Sequence, residues 1–369
     1  MICSAQTIRR SQRRSSNLPE ACRFEGRAER IPQGRRQQRR HRRSDSAGTG
    51  CYARSSRAAR KVLRVREPFD DGREVRVAGG ALYVAAGGSR LGEAVAVVLA
   101  AHGITASHMG WRAVARELLA RRPGVCLLAP DLRGRGRSAA VGPPYGMAVH
   151  VADLLGVLDD AGVRRAVLVG HSMGAFVVAR LAAERPERAG AVVLVDGGLR
   201  LPSRADIDAD QILDAVLGPA IARLRMTFAS AEEYVAFWQA HPAFAGRWTE
   251  DVEAYVRADL AGEPGALRSV VSEAAVRTDG AELLRDEATL GALERVAAPL
   301  RLLRAPRGLL DDDNPLISRA MLDAFAAAHP GALVEEVPAV NHYTITLGAG
   351  AATVAAAIAA AIDDATAAA

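Results

Sequence analysis

Ser172 stands in Gly170-His171-Ser172-Met173-Gly174, between the apolar run Ala166 to Val169 and the helix-like segment Met173 to Glu184. Alone, the pentapeptide reads as a Gly-Ser loop after a buried strand. Between a strand and a helix, Gly-x-Ser-x-Gly instead predicts a sharp, strained turn that exposes the hydroxyl at the strand's end. Its glycine flanks let strand and helix approach closely. A serine hydroxyl is a poor nucleophile at neutral pH, so it needs a general base within hydrogen-bond reach and an acid that orients the base.

Eight histidines are available. His41 lies in an N-terminal tail, His150 on a mid-chain helix and His241 in a helical stretch, while His108 and His329 flank helices. His171, beside the nucleophile, is expected to point away from it. His342, in Asn341-His342-Tyr343, follows the last strand-like segment and should return to the edge where Ser172 projects, which makes it the candidate base. The acid is expected after a late strand. Leu302 to Gly308 closes one, and Asp311, first of Asp311-Asp312-Asp313, is the candidate, with Asp312 and Asp313 as shifts of register. The rival is Asp196, at the end of the strand after the serine turn. A tetrahedral intermediate needs two backbone N–H donors. Met173, the residue after the nucleophile, supplies one; Ile104, after His102-Gly103, supplies the other, and Gly103 lets the backbone turn toward substrate.

These residues need elements to bring them together. Glu74 to Val77 and Ala81 to Val84 flank Gly79-Gly80 as a hairpin. Strand and helix patterns then alternate: strands at Ala94 to Ala100, Val125 to Ala129, Arg165 to Val169 and Ala191 to Asp196; helices at Trp111 to Ala120, Ala148 to Leu158 and the segment after Ser172. That order predicts an α/β fold, a mostly parallel, doubly wound sheet with ligands outside the strands' C-terminal ends. From Leu199 to about Val296 the pattern reads as helices only, with starts at Ser230-Ala231-Glu232-Glu233 and Thr249-Glu250-Asp251. This stretch carries Phe228, Tyr234, Phe237, Trp238, Phe244, Trp248 and Tyr255. Such an apolar load suggests a lid over a pocket, with most rings packing the insertion's own core and Trp238 as a candidate substrate contact. Strands return at Leu300 to Leu303 and Ala332 to Val337, with helices at Pro315 to Ala328 and Ala351 to Ile362. The expected domains are a tail over 1–60, a core over 61–198 and 297–369, and a helical cap over 199–296.

The net charge of +6 belongs to the tail, since residues 1–60 hold 16 Arg and 4 acidic residues and the remainder is net negative. The tail lacks an apolar period and is expected to be disordered. It could be a nucleic-acid or membrane arm, a targeting segment, or upstream coding sequence from a misplaced start. One lysine, Lys61, beside abundant Ala, Arg and Gly fits a GC-rich bacterial genome, and the tail reads best as a misplaced start or functionless. Nothing in the body suggests a nucleic-acid surface. Cys3, Cys22 and Cys51 lie in the tail and only Cys126 in the body, so no disulfide framework is expected there, in keeping with a cytoplasmic protein. No apolar run is long enough to span a bilayer. No metal cluster or dinucleotide fingerprint is present, so no cofactor is expected and the partner is a small-molecule substrate.

Over about residues 73–366 the chain resembles the α/β-hydrolase superfamily, in its lid-bearing branch of esterases, haloperoxidase-like enzymes, epoxide hydrolases and carbon–carbon bond hydrolases. The resemblance rests on His102-Gly103, Asp131-Leu132-Arg133-Gly134-Arg135-Gly136-Arg137-Ser138, the serine turn, the loop after Gly308 and Asn341-His342. It implies a sheet of about eight strands and a Ser172, Asp311, His342 triad. Epoxide hydrolases use an aspartate nucleophile, so Ser172 favours an acyl-serine route on an ester or related acyl bond of a small, largely apolar substrate. Carbon–carbon cleavage, perhydrolysis and a non-catalytic ligand-binding role remain open on the same residues.

Overall fold

A computed structural model describes residues 67–200 and 218–367; the disorder expected for residues 1–60 concerns chain outside the described residues. Eight strands form one sheet: β1 (Asp71–Val77), β2 (Gly80–Gly88), β3 (Ala96–Ala101), β4 (Val125–Pro130), β5 (Ala166–His171), β6 (Ala189–Val195), β7 (Leu300–Arg304) and β8 (Leu333–Glu336). Their spatial order is β1-β2-β4-β3-β5-β6-β7-β8. β2 runs antiparallel to both β1 and β4, and the remaining pairs are parallel. The α/β sheet expected from the alternating pattern is therefore present.

Its central strands are continuous apolar runs, as strands covered on both faces must be. β6 is buried along its whole length. Along β5 the period of two assigns Leu168 to the layer shared with α2 (Met147–Asp160) and α3 (Met173–Glu184). Val167 and Val169 face the layer shared with α1 (Arg112–Arg121) and the C-terminal helix. Every parallel crossover returns the chain to the same sheet edge. The backbone knits that edge: Ser172 N–H donates to the Val195 carbonyl at 3.0 Å, and Asp196 N–H to the Leu303 carbonyl at 2.7 Å. A parallel bridge between Arg307 and Asn341 carries the chain after β8 alongside the chain after β7.

Between β6 and β7 lie α4 (Ala231–Gln239), α5 (Glu250–Ala258) and α6 (Glu273–Arg285). Ser230 and Thr249 cap α4 and α5 as expected: Ser230 Oγ accepts from Glu233 N–H at 3.1 Å and Thr249 Oγ1 from Val252 N–H at 3.2 Å. The insertion is not purely helical. Leu260–Ala261 pairs antiparallel with Arg268–Ser269, because Gly262 and Gly265 adopt φ of 121° and 90° and turn the chain back. Phe228, Tyr234, Trp238, Phe244 and Tyr255 are buried in one cluster that also takes in Leu347, with Phe237, Trp248 and Tyr343 against it. Two polar ties fasten the insertion to the sheet's helices and loops. Asp279 of α6 accepts Gly146 N–H at 2.8 Å, pairs with Arg135 at 2.6 Å and meets His150 at 2.9 Å, while Asp251 of α5 takes Arg112 at 2.5 Å and Arg116 at 2.9 Å. The chain closes with α7 (Arg319–Ala328) and α8 (Ala351–Ala367). No helix among the described residues is long and apolar enough to cross a membrane.

Candidate active site

Ser172 sits between β5 and α3 with φ 55° and ψ −120°, a conformation that costs a non-glycine residue about 1–3 kcal/mol. Close packing holds it there. A Cβ on Gly170 would lie 2.2 Å from the Gly174 carbonyl oxygen, and one on Gly174 would lie 2.1 Å from the carbonyl oxygen of Ala101. Both flanking glycines are thus required by contact between strand and helix. Gly197, which the sequence did not single out, has the same role from the neighbouring strand: a Cβ there would fall 2.3 Å from the Ser172 carbonyl oxygen.

The N–H groups of Ile104 and Met173 have no hydrogen-bond partner among the described residues, and both residues line the cavity that holds Ser172. Met173 opens α3, so its amide is one of the donors a helix leaves unsatisfied. The Ile104 peptide is pinned from behind, its carbonyl accepting from Arg135 Nε at 3.0 Å. Gly103 packs against the serine turn, where a Cβ would stand 3.3 Å from Ser172 Cβ. His102 supports this loop: its Nε2 accepts Leu132 N–H at 2.9 Å, which puts the proton on Nδ1 for donation to the Gly103 carbonyl at 2.8 Å. Burial pushes its pKa down to about 4, so the ring is neutral.

His342, also buried, donates from Nδ1 to Asp196 Oδ2 at 2.7 Å. The other carboxylate oxygen of Asp196 accepts Ala305 N–H at 3.0 Å, and the residue has no exposed surface. With Nδ1 taken, Nε2 is the nitrogen left to accept a proton. His171 lies beside this ring, 4.7 Å between centroids and tilted by 33°, and donates from Nε2 to the His342 carbonyl at 3.0 Å. Burial, then the charge of His342, hold the His171 pKa well below the usual imidazole range. No described side chain hydrogen-bonds to Ser172 Oγ.

The acid expected after Gly308 is not the one that meets the imidazole. Asp311 pairs with Arg247 at 2.6 Å and Arg307 at 3.0 Å and accepts Asn341 Nδ2 at 3.2 Å. Its carboxyl, pushed up by burial, is held below its usual range by hydrogen bonds from Asn341, Arg247 and Arg307. Asp196, the rival from the end of β6, takes the position beside His342. Asp312 lies on the cavity wall and Asp313 pairs with Arg307 at 2.7 Å, so neither register shift reaches the imidazole.

A further buried pair went unread in the sequence. Asp131 accepts the N–H groups of His108 and Arg137 at 2.7 and 2.8 Å and meets His108 Nδ1 at 2.9 Å. The signal lay in Asp131 to Ser138: a Cβ on Gly136 would come within 2.5 Å of the Asp131 carboxylate, and Gly136 has φ 49°.

The model of the alpha/beta hydrolase family matches residues 97–357, which include every residue of this constellation. The chain belongs to the alpha/beta hydrolase family. It is 37% identical over 129 residues to lipase LipV of Mycobacterium tuberculosis, a match covering 34% of this chain and 48% of that protein. It is 43% identical over 76 residues to the putative carbamate hydrolase RutD of Klebsiella pneumoniae, covering 20% of this chain and 29% of the other. The matched stretch is thus about half the length of the lipase and under a third of the carbamate hydrolase. Among solved structures, E-2-(acetamidomethylene)succinate hydrolase superposes with a TM-score of 0.63 at 23% identity, over 79% of this chain and 99% of that one, a likeness of fold.

The hydrolase cavity has a volume of about 560 Å³, within the range of small-molecule sites. Ser172, His342, Gly103 and Ile104 line its sheet side; Trp238, with Phe237, Leu283 and Leu284, lines it from the insertion. Both residues expected to contact substrate, Gly103 and Trp238, line it.

Proposed function

We propose that this protein is a serine hydrolase that cleaves an ester or related acyl bond of a small substrate, apolar over most of its length. Ser172 Oγ attacks the carbonyl carbon as His342 Nε2 takes its proton. The amides of Ile104 and Met173 hold the developing oxyanion. His342 returns the proton to the leaving group, and water then releases the acyl group from Ser172 by the same steps in reverse. Asp196 keeps the proton of His342 on Nδ1 and stabilises the imidazolium as it forms. The observation that carries this reading is the 2.7 Å contact from His342 Nδ1 to a fully buried Asp196, beside a serine with φ 55°. Serine in place of an aspartate nucleophile supports an acyl-enzyme over epoxide opening.

A fluorophosphonate should label Ser172 stoichiometrically, and short-chain aryl esters should turn over. Ser172→Ala should lower kcat by about 10⁵–10⁶-fold. Turnover surviving in Ser172→Ala, or absence of labelling, rejects the mechanism.

A further inference from the structure

The part of the cavity formed by the insertion is lined with hydrogen-bond donors. Arg223, 4% exposed and on the cavity wall, donates from Nη1 to Asp259 Oδ2 at 2.6 Å and to the Tyr234 hydroxyl. Asp259 is fully engaged, since its Oδ1 accepts the Ser269 hydroxyl at 2.8 Å and its Oδ2 also takes the Tyr234 hydroxyl. This network fixes one nitrogen of the guanidinium. Nothing described accepts from Nε–H or Nη2–H, which form one edge of the group. Two parallel donors on a rigid edge match a carboxylate bidentately.

Three more donors share this wall. The Arg223 guanidinium is 5.1 Å from the Trp238 ring centroid, and the His241 ring is 5.3 Å from the same indole and 5.8 Å from Tyr343. His241 Nδ1 accepts Ala243 N–H at 3.2 Å, so in the neutral ring the proton is on Nε2; burial, and then the charge of Arg223, favour that neutral form. The hydroxyls of Tyr255 and Tyr343 have no hydrogen-bond partner among the described residues, and both side chains line the cavity. The Tyr343 ring is 6.1 Å from that of Trp238, and Tyr255 packs in the same cluster. The remaining acid on the cavity wall, Asp312, belongs to the loop after β7.

We propose that Arg223, His241, Tyr255 and Tyr343 form a subsite for a carboxylate carried by the substrate away from its scissile bond. The preferred substrates are then acyl compounds with an apolar middle and one free carboxylate, such as half-esters or half-amides of short dicarboxylic acids. This rests on the hydrolase reading for the position of the scissile bond, but not for the binding itself.

The test is therefore made on Ser172→Ala protein, by calorimetric titration with three stable ligands of equal length: 6-anilino-6-oxohexanoate, heptananilide and 6-oxoheptananilide. The carboxylate ligand should bind at least tenfold more tightly than either neutral one. Adding Arg223→Gln should reduce that preference to less than threefold. Because Arg223→Gln leaves Asp259 without its cation and can unfold the insertion, Tyr255→Phe serves as the second variant. It keeps the ring and removes one donor, and should cut the preference about threefold. Equal binding of all three ligands, a preference that survives both variants, or a ketone bound as tightly as the carboxylate overturns the subsite. Fluorophosphonate labelling of the unsubstituted protein separately decides the hydrolase reading, so either conclusion can fail alone.

Discussion

Asp196 and Asp311 follow successive strands of one sheet and share a left-handed backbone, with φ of 44° and 58°. Their surroundings divide them. Asp196 is sealed from solvent and is met by one backbone amide and one imidazole. Asp311 is partly exposed and faces two guanidinium groups and an amide side chain. An acid that must stabilise a transient imidazolium cannot already be neutralised by permanent cations, and it must be dry enough for its charge to be felt. The same residue type on the same backbone therefore performs different work. Asp196 is available to His342, and Asp311 ties the loop after β7 to the insertion through Arg247.

Paired substitutions give the largest test of this contrast. Asp196→Asn should lower kcat about 10³–10⁴-fold with the fold intact, because the amide no longer selects the His342 tautomer. If Asp311→Asn does so instead, the assignment is reversed. The next effect concerns protonation set by burial rather than by charge pairing. His102 has a folded pKa of about 4 against 6.5 in the unfolded chain. Between those values the unfolded chain binds the proton and the folded one does not. The stabilisation is thus complete above about pH 6.5 and is lost as pH falls toward 4, at about 1.4 kcal/mol per unit. Denaturant melts at pH 7, 6 and 5 should show this slope, and His102→Gln, which can keep both hydrogen bonds, should flatten it by about that amount. His171, shifted the same way, accounts for slope that remains. The smallest effect belongs to Asp311→Asn: kcat within threefold and a stability loss of about 1 kcal/mol or less, as for a partly exposed ion pair. Urea titration at low and high salt measures that loss.

Much of the sheet could be read from the chain because its signals are local. Unbroken apolar runs such as Val125 to Ala129 need no distant partner to be recognised, and Gly170 and Gly174 declare a turn within five residues. His342 was reachable because topology alone returns the end of the last strand to the serine edge. The acid was not. Three aspartates after Gly308 gave the stronger local signal, while the contact that pairs a carboxylate with His342 spans 146 residues. Arg247 lies within the insertion, whose placement the sequence did not determine. Gly197 and the His108–Asp131 pair escaped for a related reason, since each is required by an atom of a neighbouring element. The short ribbon after α5 was missed because two-residue strands leave no period to detect.

The ties at Asp279 and Asp251 fasten the insertion to α1, α2 and the loops beside them through groups that are mostly buried. Pulling the insertion away as a unit would have to break both sets of ion pairs at once.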